Sequence, residues 1–149
     1  MKIAFDTSIL VAALVEAHSF HQHAKVWLKD VALGRHVGVA SWHALAETWA
    51  VLTRLPLRPR LSPEQAHQVL TRLREHIVLV ELRPALYEQA IARCLTAGAT
   101  SGAVFDGLHL VAARNAGAEV LLTFNADDFS RLRLDGDPEI VVPPDPHQP

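Results

Sequence analysis

Cysteine is almost missing from this chain. Cys94 is the single one in 149 residues, so no intramolecular disulfide can form, and a reducing cytoplasm suits such a protein. No apolar run reaches the roughly 18 residues that a membrane span needs. The start lacks the basic and apolar regions of a secretory leader, because Asp6 interrupts it. Neither sign of charge is in excess: the net charge is −2 with all nine histidines neutral, not the basic balance that usually marks nucleic-acid binding. Aromatic residues amount to 6% and follow no regular spacing, which argues against a row of stacked bases. Repeats are absent, and only residues 143–149, with four prolines in seven, are compositionally biased. They read as a loose tail behind a single domain over residues 1–142.

What is present is half hydrophobic and 20% charged, the balance of a globular domain long enough for a real core. Short apolar runs alternate with longer helical patterns. KIAF at 2–5, HVGVA at 36–40, IVLVEL at 77–82, EVLLTF at 119–124 and EIVV at 139–142 read as strands. Helices are expected over 8–17, 20–33, 41–54, 62–76, 83–98 and 104–117, with a short turn of helix over 126–132. Ser41 is a suitable N-cap, and Leu45, Trp49 and Leu52 form the core stripe expected of its helix. Ser62, Pro63 and Gln65 compose a capping box with proline at the first helical position. Gly98 and Gly117 close their helices. Strands alternating with helices predict an α/β fold of three layers, α/β/α, with a mainly parallel central sheet. Strands that are apolar throughout agree with a sheet covered on both faces. Sites in such folds lie beyond the carboxyl ends of the strands.

The acids fall where that rule places a site. Asp6 ends the first strand, where it can cap the next helix or serve a ligand. Glu47 lies in the middle of a largely apolar helix, in one row with His43 and Arg54. Asp106 stands in the first turn of another apolar helix, favoured by the helix dipole, with His109 on its face. Thr123, Asn125, Asp127 and Asp128 follow a late strand, in what is also ordinary turn chemistry. Each residue alone has a structural explanation. Together they can converge at one sheet edge, where crowded carboxylates repel one another. A hard divalent cation relieves that repulsion, and oxygen ligands select Mg²⁺, with Mn²⁺ a possible substitute. That combination suits phosphoryl-transfer chemistry.

With these motifs in order, FDTSIL, LAETWAVLTR, FDGLHLVAA and LLTFNADDF, the chain resembles the PIN domain, and within it the VapC-type toxins of bacterial toxin–antitoxin pairs. The resemblance covers nearly the whole length, and HSFHQHAKVWL resembles the family's polar lead into its second helix. It implies a Mg²⁺-dependent ribonuclease. By carry-over, Asp6, Glu47 and Asp106 are the metal-binding acids, Thr7 or Ser8 orients the site or a water, and Thr123 is the accompanying hydroxyl. Where many PIN domains carry a further acid, this chain has Asn125, which can offer an amide oxygen but no charge. Asp127 or Asp128 would take its place, and the case for a second metal ion is weaker.

RNA approaching an acidic site calls for a basic rim. Arg54, Arg58 and Arg60 in RLPLRPR, with Arg72 and Arg74 ending the next helix, are candidate contacts to RNA phosphates or to an antitoxin, and equally a solvated loop and helix C-terminal cations. A cognate antitoxin, packed in an apolar groove among the first helices, and a homodimer are the implied partners. Trp27, Trp42 and Trp49 suit core or interface. His18, His21 and His23 invite a zinc reading, but no cysteines accompany them and their spacing is loose. A haloacid-dehalogenase phosphatase would need a second acid where Ser8 stands, and a signalling receiver would need a late lysine, whereas none follows Lys29. The remaining alternative is a degenerate, non-catalytic PIN domain acting as an interaction module, for which Asn125 is the support.

Overall fold

The four-residue run KIAF is apolar from its second position on, and it becomes the central strand of a parallel sheet. The computed structural model describes residues 1–148. The elements follow the order β1 (Lys2–Phe5), α1 (Thr7–Leu14), α2 (His21–Ala32), β2 (Val37–Ser41), α3 (Trp42–Arg54), α4 (Pro63–Leu73), β3 (Ile77–Val80), α5 (Pro84–Ala97), α6 (Ala103–Asn115), β4 (Val120–Leu122), α7 (Ala126–Leu132) and β5 (Glu139–Val141). The strand order is β3-β2-β1-β4-β5, and every pairing is parallel. The chain leaves β1 to one side for β2 and β3, then returns to its other side for β4 and β5. The order therefore reverses at β1, and the crevice beyond the carboxyl ends of β1 and β4 is the place such a sheet offers a ligand.

The pleat sends alternate residues to opposite layers. Ile3, Phe5, Val120 and Leu122 pack with residues of α1, α2, α3 and α4. Ala4, Val39 and Leu121 pack with α5, α6 and α7 through Cys94, Leu110 and Phe129. This is the three-layer α/β/α arrangement expected from the sequence. On the first face, Gly38 allows the close approach: a Cβ there would lie 2.8 Å from Val31 Cγ1 and 2.9 Å from the Phe5 ring. The capping box at Ser62 and Gln65 is formed, with Pro63 at the start of α4. Gly98 ends α5 in the left-handed region at φ 62°, where a glycine has no Cβ to clash.

Three local expectations change. The first helix stops at Leu14, and Val15 is extended, because the following segment must turn back for α2, which begins at His21 rather than at Phe20. In α3 the buried seam is Ala44, Thr48 and Leu52, while Trp49 is exposed and Leu45 only half-buried. Thr48 can enter the core because its hydroxyl donates to the Ala44 carbonyl at 2.7 Å, so it brings no unpaired polar atom with it. A buried ion pair also appears that the sequence did not suggest. Arg93 of α5 grips Asp137, whose carboxylate takes a second Arg93 bond at 2.9 Å, one from Arg114 at 3.3 Å and the Leu134 N–H at 2.8 Å. It ties the loop before β5 to α5 and α6.

Candidate active site

Asp6 caps α1, and its carboxylate is buried among donors. Oδ1 accepts from Ile9 N at 3.0 Å and Ser8 Oγ at 2.7 Å, and Oδ2 accepts from Thr123 Oγ1 at 2.6 Å. The capping reading is realised, and Oδ2 faces the end of β4 rather than the helix. Burial pushes the carboxyl above its ordinary range, while His109 and these donors pull it back. The hydroxyls do more than satisfy Asp6. Ser8 Oγ accepts the N–H of Phe124 at 3.2 Å, and Thr123 Oγ1 accepts that of Asn125 at 2.9 Å. The β4–α7 turn is thereby registered on the end of β1.

Glu47 projects from α3 toward the same edge. Its Oε1 accepts from Thr7 Oγ1 at 3.3 Å and from His109 Nε2 at 3.1 Å. His43 Nε2 lies 3.0 Å from the same oxygen, but off the line that a hydrogen bond needs, so among the described residues this nitrogen has no hydrogen-bond partner. Partial burial alone would raise the Glu47 carboxyl, yet the His109 bond and the charges of both histidines outweigh it and hold the group below its ordinary range. His43 itself is lowered, chiefly by burial. The two imidazoles are fixed by packing, His43 stacked on Phe105 at 5.1 Å and His109 against Phe129 at 6.1 Å. In sequence these histidines suited a solvated or packed face, since neither pattern nor spacing revealed that α3 and α6 meet at Glu47.

Asp106, in the first turn of α6, is pushed up to about 6. Burial is the main cause. His109 opposes it, and the charges of Asp128, Asp6 and Glu47 add to it. Asp106 thus feels acids from the end of β1, from α3 and from the first turn of α7. Asp128 and Asp127 lie in the first turn of α7. With Phe124, Asn125 and Val142 they line a cavity of about 460 Å³. Asn125 is exposed and caps α7 without a side-chain bond.

The donor chemistry fits a hard divalent cation. The set is all oxygen, and its mutual repulsion is what a cation would relieve. As the side chains stand, no three Asp, Glu, His or Cys groups among the described residues converge as a formed metal centre. The loop arginines are not drawn in: Arg54, Arg58 and Arg60 are exposed, Arg74 lies over the Trp42 ring at 5.0 Å, and Arg72 lines a different groove. The three histidines of HSFHQH go separate ways. His21 is buried with Nδ1 on the Ala12 carbonyl, His18 accepts the Phe20 N–H, and His23 meets the Pro143 carbonyl. No zinc site forms from them.

A family model for the PIN domain matches residues 3–134. Ribonuclease VapC27 of Mycobacterium tuberculosis is 36% identical over 119 residues, covering 79% of this chain and 81% of the relative. Among solved structures, the M. tuberculosis toxin VapC20, described as cleaving the sarcin–ricin loop, superposes with a TM-score of 0.69 at 23% identity, covering 91% of this chain and 99% of that one. VapBC2 of Rickettsia felis, bound to a DNA fragment from its promoter, gives a TM-score of 0.65 at 18% identity over 95% and 98% of the two chains. At such identities the two structures speak for the fold.

Proposed function

The chain belongs to the PIN domain family, among its VapC-type members, and on that footing we propose that it is a Mg²⁺-dependent endoribonuclease, the toxin of a toxin–antitoxin pair. The observation that supports this reading is the hydrogen-bonded edge at the switch point of the sheet, where Ser8 and Thr123 hold Asp6 while Thr7, next to Asp6, and His109, one helical turn from Asp106, hold Glu47. Asp6, Glu47 and Asp106 would hold the metal, with Asp128 beside them in the place of the acid that Asn125 does not provide. A Mg²⁺ ion held there would supply charge neutralisation at the phosphate and would make a bound water more acidic. The chain's own part is orientation. Ser8 and Thr123 aim the two oxygens of Asp6, while Thr7 and His109 aim Glu47.

An antitoxin suits the groove between α2 and α4. Leu14, Leu28, Ala32, Val69 and Leu73 line its apolar floor, and Lys25, Lys29, Arg72 and His76 rim a volume of about 350 Å³. That chemistry fits an amphipathic segment with acidic flanks. Homodimerisation suits a separate face, where Tyr87, Ile91 and Leu95 of α5 are exposed at helical spacing. The ribonuclease reading is tested by incubating mixed RNA with Mg²⁺ or Mn²⁺ and comparing wild type, Asp6→Asn and an EDTA control. Metal-dependent cutting that Asp6→Asn abolishes supports it. Neither cutting nor a metal-induced rise in melting temperature would leave the interaction module.

A further inference from the structure

The polar stretch HSFHQH has no task in the site described above, yet the fold brings it against that site. Phe20, in the connector between α1 and α2, stacks on Phe124 with ring centroids 4.9 Å apart and an interplanar angle of 23°. The edge of Phe20 meets His23 at 5.3 Å and 77°, and His18 lies 6.1 Å away. Phe20 remains 44% exposed. We propose that Phe20, backed by Phe124, is a stacking platform for an unpaired nucleobase next to the phosphodiester presented to Asp6, a proposal that rests on the ribonuclease reading.

Position is the first argument. Phe124 directly follows Thr123, which donates to Asp6, and its own N–H binds Ser8 Oγ, which also donates to Asp6. The backbone of Phe124 is therefore tied to the candidate catalytic carboxylate through Ser8 and through its neighbour Thr123. Rigidity is the second. The connector is held by His18 N–H on the Val15 carbonyl, Phe20 N–H on His18 Nδ1, and His21 on both the His18 and Ala12 carbonyls. His23 is pinned to the Pro143 carbonyl. A ring held in place by its neighbours loses little freedom when a base lands on it. Chemistry is the third. Asp127 and Asp128, which line one cavity with Phe124, repel phosphate and favour an uncharged group on this side of the site, and every base has a π-face to offer. The absence of regular aromatic spacing in the sequence is no obstacle, because the pair is assembled from two distant segments.

The test compares wild type with Phe20→Ala, Phe20→Leu and Phe20→Trp, each first shown to melt like wild type. The readouts are binding of a short, labelled, random-sequence single-stranded RNA and the change in tryptophan fluorescence on adding it, taken as the difference from wild type. Loss of the ring is expected to weaken binding roughly 5- to 150-fold. Leucine, apolar but without a π-face, should fail to restore it. Tryptophan should restore it and be quenched by RNA. Wild-type affinity in Phe20→Leu, or no quenching of the introduced indole in Phe20→Trp while RNA is bound, overturns the platform and leaves the nuclease intact. Weakened capture of an antitoxin with unchanged RNA binding also overturns it, in favour of a protein contact. Wild type that neither binds nor cuts RNA sinks the ribonuclease reading and the platform with it.

Discussion

Replacing Asp106 by Asn should make the metal-free protein more stable. The carboxyl of Asp106 is partly covered in the first turn of α6, and burial, with the charges of Asp128, Asp6 and Glu47, moves it from 3.8 to about 6. A displacement of that size corresponds to about 3 kcal/mol for a fully shielded group. Solvent screens a partly exposed one, so roughly 1 kcal/mol is the expected gain. The pH dependence follows from linkage. Below pH 3.8 folded and unfolded chains both keep the proton, and the variant has no advantage. Between 3.8 and about 6 the unfolded chain releases it first, so wild-type stability declines relative to the variant. Above that range the difference is constant. Urea denaturation in EDTA across this range, taken as variant minus wild type, cancels the other titrating groups. An acid in a first turn is ordinarily stabilising by ~0.3–1 kcal/mol, so a site without charge crowding gives the opposite sign. A variant less stable than wild type at pH 8, or an advantage that does not change with pH, refutes the reasoning. Saturating Mn²⁺ should then raise the melting temperature of wild type more than that of the variant.

His109→Ala removes the donor that aims Glu47. Cleavage and Mn²⁺ affinity should both fall, roughly 10- to 100-fold as for other residues that orient a ligand, with partial rescue by His109→Gln. An unchanged Mn²⁺ affinity would count against that role. Arg93→Met leaves the fully covered Asp137 carboxylate with only Arg114 and the Leu134 N–H. The loss should be about 3 kcal/mol in urea denaturation, the lower end for a broken buried pair. Since Arg93 and the Leu134 N–H help to hold Asp137 below its ordinary range against the effect of burial, this stabilisation should be intact above the unfolded carboxylate pKa and disappear as pH falls through the lowered folded one. Gly38→Ala pushes a Cβ into Val31 and Phe5. It should destabilise by about 1–3 kcal/mol, seen as a lower denaturation midpoint.

Local signals in the chain were enough to set the elements and their class. Apolar runs such as KIAF, the Ser62–Pro63–Gln65 start and the Gly98 stop act within a few residues, so propensity and capping decide them, and α4 and α5 lie where these signals put them. Asp6 and Asp106 were likewise legible at a strand end and a helix start, because the carboxyl edge of a parallel sheet follows from the order of elements alone, whereas Glu47 stands in mid-helix. What those acids meet was settled by packing between distant segments. The α3 period allowed a stripe through Trp49, but the neighbours of α3 bury Ala44, Thr48 and Leu52 instead. His109 reaches Glu47, Phe20 covers Phe124 and Arg93 neutralises Asp137 across separations of dozens of residues or more. Such pairings depend on how helices dock on the sheet. Docking is set by the volume and shape of many side chains together, and no spacing along the chain records it.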